Sequence, residues 1–255
     1  MNKFLLVCLS IGIVRMGCAQ PATQLGPDDP PNLTLKSQKY HELRLSQTTP
    51  TFELAKVKSL MKSMKKREDE GGDSGVMALS AKAYRSLSTG GKFTYCMLHG
   101  ENFGQNCDGM PAVLGEESKI FAQPPAAFWN EADWSDRQRN FLHSHRASVI
   151  GLLRLTIRHQ HQIGVNLKKA ILEIDAFELI PDIVAEYKRS SKDRDQLSVL
   201  SLLLKHARYE PYVKSPLYIK FYGEEASYQT AVPIHEDIVR FIIKCALSLY
   251  ETRNG

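Results

Sequence analysis

From residue 135 to residue 252, apolar side chains recur at every third or fourth position, and that spacing restricts the segment to packed helices. Ser135-Asp136-Arg137-Gln138 has the form of a capping box, and Leu142, Val149, Leu153 and Thr156 then follow on one face. Ile171, Ile174, Phe177, Ile180, Val184 and Tyr187 predict a second helix over 167–188, with Pro181 kinking it. After a polar turn at 191–195, Leu197, Leu200, Leu203, Leu204 and Ala207 mark a third helix, and Leu202 widens its apolar surface, which points to a central position. Ile234, Ile238, Phe241, Ile242, Cys245 and Leu249 place a last helix over about 233–252.

Upstream the pattern is weaker. Thr49-Pro50 reads as a helix opening, followed by Leu54, Val57, Met61 and Met64 at helical spacing and a lysine-rich opposite face. A polar loop at 68–72 should end it, and a second helix over 76–87 should stop at Gly90-Gly91. Residues 91–134 hold several glycines, Cys96, Cys107 and the Pro124-Pro125 break, so they read as a loop-rich segment.

Lys3, an apolar run over 4–14 that is too short to span a bilayer, and the small residues Gly17-Cys18-Ala19 have the form of a secretory signal peptide over 1–19. Cleavage after Ala19 leaves Gln20 first and directs the chain to the periplasm or the exterior. The alternative is a membrane-anchored lipoprotein lipidated at Cys18, although Arg15 stands where such signals carry an apolar residue. Losing Lys3 and Arg15 lowers the formal charge of +5 by two, leaving a mildly basic chain that tolerates anionic partners without requiring them. Residues 20–48 read as a proline-rich linker in which 36–46 are ambiguous between strand and helix, and Asn32-Leu33-Thr34 is a glycosylation sequon. In an oxidising compartment Cys96 and Cys107 are expected to form a disulfide, while Cys245 on a helix stripe behaves as a small hydrophobe. A metal site from Cys96, His99 and Cys107 lacks a fourth ligand at a familiar spacing.

These features predict a predominantly all-α chain. Residues 49–252 form a single mainly helical domain, with a helical hairpin over 49–90, a disulfide-stapled loop region over 91–134 and a helical bundle over 135–252. The run from Glu178 to Val184, a short polar turn, and then Val199-Leu200-Ser201-Leu202-Leu203 resembles one HEAT-type helical repeat, covering about 167–207. That resemblance implies an antiparallel helix pair stacked on its neighbours, in a class of proteins that generally act as binding scaffolds. No second unit recurs at a fixed period, so the architecture is a bundle or a short HEAT-like stack.

Several constellations could carry chemistry. Gly72-Asp73-Ser74-Gly75 resembles the nucleophile loop of trypsin-like proteases, but its helical context favours a plain turn. His143, His145, His159 and His161 form two His-x-His pairs, whose members point to different faces of a helix and chelate poorly. No acidic residue lies between Asp136 and Glu173, and Arg139, His143, Arg154 and Arg158 fit one stripe. That stripe is a candidate anion-binding face that strengthens as histidines protonate, or a solvated face paired with acids such as Glu173 or Asp175. Tyr212, Tyr218 and Tyr222 form a candidate aromatic contact surface, or a segment pinned onto the core by its own rings. Glu101 and Asp108 are the carboxylates for a glycan-hydrolase reading.

The reading that joins these points is a non-catalytic binding or structural protein of the cell envelope, with no cofactor and no metal. Its partner is an envelope glycan, an anionic lipid or another envelope protein; nucleic acid is disfavoured for an exported chain. The alternative is an envelope glycan hydrolase using Glu101 and Asp108.

Overall fold

The computed structural model describes residues 33–66, 77–103, 111–128 and 132–254. The signal segment with Cys18, residues 20–32 of the linker, the loop containing Gly72-Asp73-Ser74-Gly75, and both Cys107 and Asp108 lie outside the described residues.

The ordered chain begins earlier than the linker reading allows. Thr34 caps α1 (Leu35–Leu45) by accepting from Ser37 N–H at 3.1 Å. The residues that follow are bound to the body of the molecule: Val165 N–H donates to Ser46 O at 2.9 Å, and Thr48 N–H donates to Asn166 Oδ1 at 2.9 Å. Next, α2 (Leu54–Met61) starts after Glu53, which takes a left-handed φ of 48°, so Thr49-Pro50 lies ahead of the helix. The strands β1 (Lys65–Lys66) and β2 (Met77–Ala78) pair antiparallel. The short helix α3 (Ala81–Arg85) is capped by Ser80, and α4 (Thr89–Leu98) by Ser88, which accepts from Gly91 N–H at 3.1 Å. Gly90 and Gly91 therefore open a helix instead of closing one. The serine cap satisfies a free backbone donor there.

That helix corrects the disulfide. Because α4 runs through 89–98, Cys96 points into the core, where it is fully buried as a free thiol. The loop-rich segment is also more structured than expected. It carries β3 (Asn102–Phe103), a 3-10 turn (Glu116–Ser118), β4 (Lys119–Phe121) and β5 (Ala132–Asp133), with β3 and β5 paired antiparallel.

The expected capping box at Ser135 forms and opens α5 (Asp136–Ser144). His145, outside helical geometry, interrupts the pattern, and α6 (Arg146–Gln160) follows. His161, with a left-handed φ of 52°, ends it. The predicted helix over 167–188 is two helices, α7 (Val165–Glu173) and α8 (Ile180–Arg189), separated by Asp175 at φ 47° and a 3-10 turn (Phe177–Leu179). Pro181 sits in the first turn of α8, where its missing N–H costs nothing, so it starts a helix and kinks none. The HEAT-like segment is thus three helices, α7, α8 and α9 (Asp195–His206). Beyond them come α10 (Glu210–Val213), α11 (Pro216–Tyr222), β6 (Ala231–Pro233) and α12 (Glu236–Asn254). β6 pairs antiparallel with β4, Ile120 opposite Val232.

The described residues are mostly helical, with twelve α-helices and only short strand pairs. The wide apolar surface of α9 is at the centre: it packs against α7, α8, α10, α12 and β4, and Leu197, Leu200, Leu203 and Leu204 are fully buried. A smaller cluster of Val57, Leu79, Tyr84, Leu87 and Tyr95 lies under α2, α3 and α4. Cys245 is buried on the inner stripe of α12. No helix among the described residues is long and apolar enough to cross a membrane.

Candidate functional site: a cationic face on α6 and α8

The structure treats the sequence candidates differently. Glu101 is 2% exposed. Its carboxylate accepts from Tyr95 Oη at 2.6 Å, Ser135 Oγ at 2.9 Å and Arg137 Nε at 2.6 Å, and Arg137 Nη2 reaches the other oxygen. Its own N–H donates to Gln138 Oε1 at 3.1 Å. Burial works to raise this carboxyl, but the hydrogen bonds from Arg137, Tyr95 and Ser135 outweigh it and hold the group below the usual range. A charged, saturated carboxylate beneath a guanidinium cannot donate a proton to a glycosidic oxygen at neutral pH. Glu101 is a structural anchor that ties β3 to the start of α5.

The tyrosines turn inward. Tyr212 is fully buried, with its ring edge-on to Tyr218 (5.9 Å between centroids) and stacked on Phe241 (6.2 Å). Tyr218 packs on Tyr222, whose hydroxyl donates to Ala122 O at 2.9 Å. Burial pushes the Tyr212 and Tyr222 phenols up. Their rings pin α10 and α11 onto α12 and the β4 region, and this accounts for the aromatic density of the segment.

The basic stripe stays at the surface but is laced with acids. Arg139 donates to Glu173 at 2.6 Å and to Asp133 at 2.7 Å, and His143 Nε2 lies 3.2 Å from Glu173. Arg146 forks onto Glu178 at 2.7 and 2.8 Å and also caps the carbonyls of Ile174 and Asp175. The hydrogen bonds from Arg146 hold Glu178 below the usual carboxylate range. Arg154 and Arg158 both donate to Asp182, at 3.0 and 2.8 Å. The stripe is divided by the break at His145, with Arg139 and His143 on α5 and Arg154 and Arg158 on α6. Glu173 is among the partners that the sequence offered; Glu178, in the 3-10 turn, and Asp182, on α8, are not.

At the far end of this ladder α6 and α8 line an open groove of about 290 Å³. Pro181 and Ala185 contribute apolar surface over the buried Ile157, and Arg158, His161, Asp182, Glu186 and Arg189 contribute polar groups. Glu186 is held by Arg189, whose Nε lies 3.1 Å from both carboxylate oxygens, with His161 Nδ1 3.6 Å away. Arg189 also donates to His161 O at 2.6 Å, closing the C-terminus of α6. The Arg158 side chain remains 67% exposed and that of His161 59%.

No family model, curated protein or solved structure matches this chain. The groove must therefore be read from its own chemistry. Its floor mixes small and apolar groups, its carboxylates lie underneath, and its guanidinium and imidazole groups face solvent. No group of three or more His, Cys, Asp or Glu side chains among the described residues is arranged to hold a metal ion. Asp182, Glu186 and Arg189 were missed in the sequence. The available signal was the i, i+4 spacing of Asp182 and Glu186 on one helix face.

Proposed function

We propose that this chain is exported and serves in the cell envelope as a non-catalytic binding scaffold, contacting an anionic partner through the α5–α6 face. One observation supports this reading above the others: Arg158 and His161 at the end of α6 stay exposed, while Glu101, the carboxylate on which hydrolysis depended, is buried and saturated. The helical core centred on α9 carries α8, against which α6 packs, and so supports that face as a scaffold requires. An envelope glycan or an anionic lipid surface has the matching charge.

The test is co-sedimentation of the mature chain, starting at Gln20, with a purified envelope fraction. Retention that is released by salt, and weakened when Arg154 and Arg158 are both changed to Gln, is the expected result. Absence of retention above a neutral control protein would sink the reading, as would a glycan-cleaving activity lost in Glu101→Gln. Mass spectrometry of the secreted form should find Gln20 at the N-terminus.

A further inference from the structure

The hairpin of α2 and α3 carries cations that the rest of the fold does not pair. Lys56, in the first turn of α2, donates to Ser86 O at the end of α3 at 2.6 Å. Beyond the other end of α2, Lys65 pairs with Ala78, two positions ahead of Ser80, which caps α3. The two helices therefore lie side by side and antiparallel. Val57, Tyr84 and Leu87 are buried beneath them, while Lys58, Lys62, Lys65, Lys82 and Arg85 are exposed. Among the described residues, none of these five has a carboxylate within ion-pair distance. Glu53, the one described acid between residues 51 and 100 ahead of the buried Glu101, accepts from Ser88 N–H at 3.1 Å and lies 3.5 Å from Lys56. On the α5–α6 ladder, by contrast, Arg139, Arg146, Arg154 and Arg158 each meet a carboxylate.

From this we infer that the α2–α3 face docks the protein on the surface of an anionic lipid bilayer. Charge complementarity carries the assignment. Unpaired cations spread over two helices and a strand match a sheet of headgroups better than a single anion. Four of the five are lysines, whose compact ammonium acts as a point charge and needs no paired acceptor. Rings that would stack on sugars or bases are turned inward: Tyr84, Phe93 and Tyr95 are buried, and Phe52 packs edge-on against Phe93. The attraction requires no insertion of the chain, and salt screens it. This surface is separate from the α5–α6 face and acts without it.

Co-sedimentation of the mature chain with vesicles of phosphatidylcholine containing about one-third phosphatidylglycerol tests the assignment. Retention is expected on these vesicles and not on phosphatidylcholine alone, with release at about 0.5 M NaCl. Each neutralised cation removes roughly fivefold, so Lys58→Gln with Lys82→Gln should weaken partitioning about twentyfold. Adding Lys62→Gln and Arg85→Gln should abolish it, while Arg154→Gln with Arg158→Gln changes it by less than about twofold. All four α2–α3 positions are exposed, so an unchanged melting temperature is expected and separates lost docking from lost folding. Equal retention on neutral vesicles overturns the charge assignment, and undiminished retention of the fourfold variant overturns the face. Retention abolished by the Arg154 and Arg158 changes moves the contact to α5–α6 and also overturns it. A soluble sulfated glycan that binds while vesicles do not overturns the bilayer as the partner. In sequence, Glu68, Asp69, Glu70 and Asp73 fall between β1 and β2. Vesicle binding that appears only when all four are changed to their amides shows that the chain's own acids satisfy the face, and overturns it. Failure on vesicles with envelope retention intact removes this inference and leaves the scaffold reading.

Discussion

Arg44 Nε donates to both carboxylate oxygens of Asp195 at 3.1 Å, across 151 positions of sequence and with neither side chain open to solvent. The same guanidinium reaches Glu116 at 3.3 Å and lies 3.7 Å above the Phe121 ring. Lys168, also buried, lies 2.8 Å from Asp193 and 3.6 Å from Asp195. This network fastens α1 to α9 and to the 3-10 turn before β4. A segment that reads as linker is in this way a structural element.

Removing Arg44 takes the guanidinium from two buried carboxylates, leaving Asp195 to Lys168 and Glu116 to His41. Arg44→Ala is expected to cost about 3–5 kcal/mol in urea denaturation. Arg44→Lys should recover only part, because an ammonium offers neither the paired donors to Asp195 nor a planar group over Phe121. A loss below about 1 kcal/mol for Arg44→Ala would show that α1 is dispensable to the core.

Glu101→Gln leaves Arg137 without its charge partner and weakens two further hydrogen bonds, so a loss of about 1–3 kcal/mol is expected at pH 7. The pH dependence follows from a carboxyl held below its ordinary value of 4.5. Its stabilising contribution is complete above the unfolded value and disappears as pH falls through the lower native one. The stability gap between wild type and variant should therefore be constant near neutrality and narrow below about pH 4.5. A gap that widens on acidification would contradict the arrangement.

Two glycines make opposite predictions. A Cβ on Gly164 would lie 2.3 Å from Thr48 N and 2.7 Å from Gln47 C, both backbone atoms that cannot yield cheaply. Gly164→Ala should destabilise by about 1–3 kcal/mol. At Gly151, inside α6, the same atom meets nothing within 4 Å. Gly151→Ala should stabilise by about 0.5–1 kcal/mol through the lower entropy of the unfolded chain. Paired thermal melts check both signs.

Cys96 is fully buried and free, and burial pushes its thiol up. It should resist an aromatic disulfide reagent in the native protein and react at once in denaturant. Peptide mapping of non-reduced material should find Cys96 unbridged; a Cys96–Cys107 peptide would reverse that.

Local signals were readable where one residue's chemistry sets one backbone event. The capping box at Ser135 forms as spelled, whereas Pro181, read as a kink inside one helix, opens α8 instead. The breaks at Glu53, His161 and Asp175 were not readable, since each takes a left-handed φ where glycine is the usual signal. His145 likewise interrupts α5 and α6 with no proline or glycine to announce it. The tyrosine segment shows a similar limit: composition revealed the rings, but only packing showed that Tyr212 faces Phe241 and not a partner.

By itself the sequence determined the helical class, because a 3.6-residue period is written locally and survives whatever surrounds it. Tertiary structure alone decided which charges are spent and which remain for binding. Arg44 with Asp195, Glu101 with Arg137, and the Arg154–Arg158 pair with Asp182 meet only after the helices dock. Ion pairing depends on distance in space and on the water excluded between the partners, and neither quantity exists along an unfolded chain.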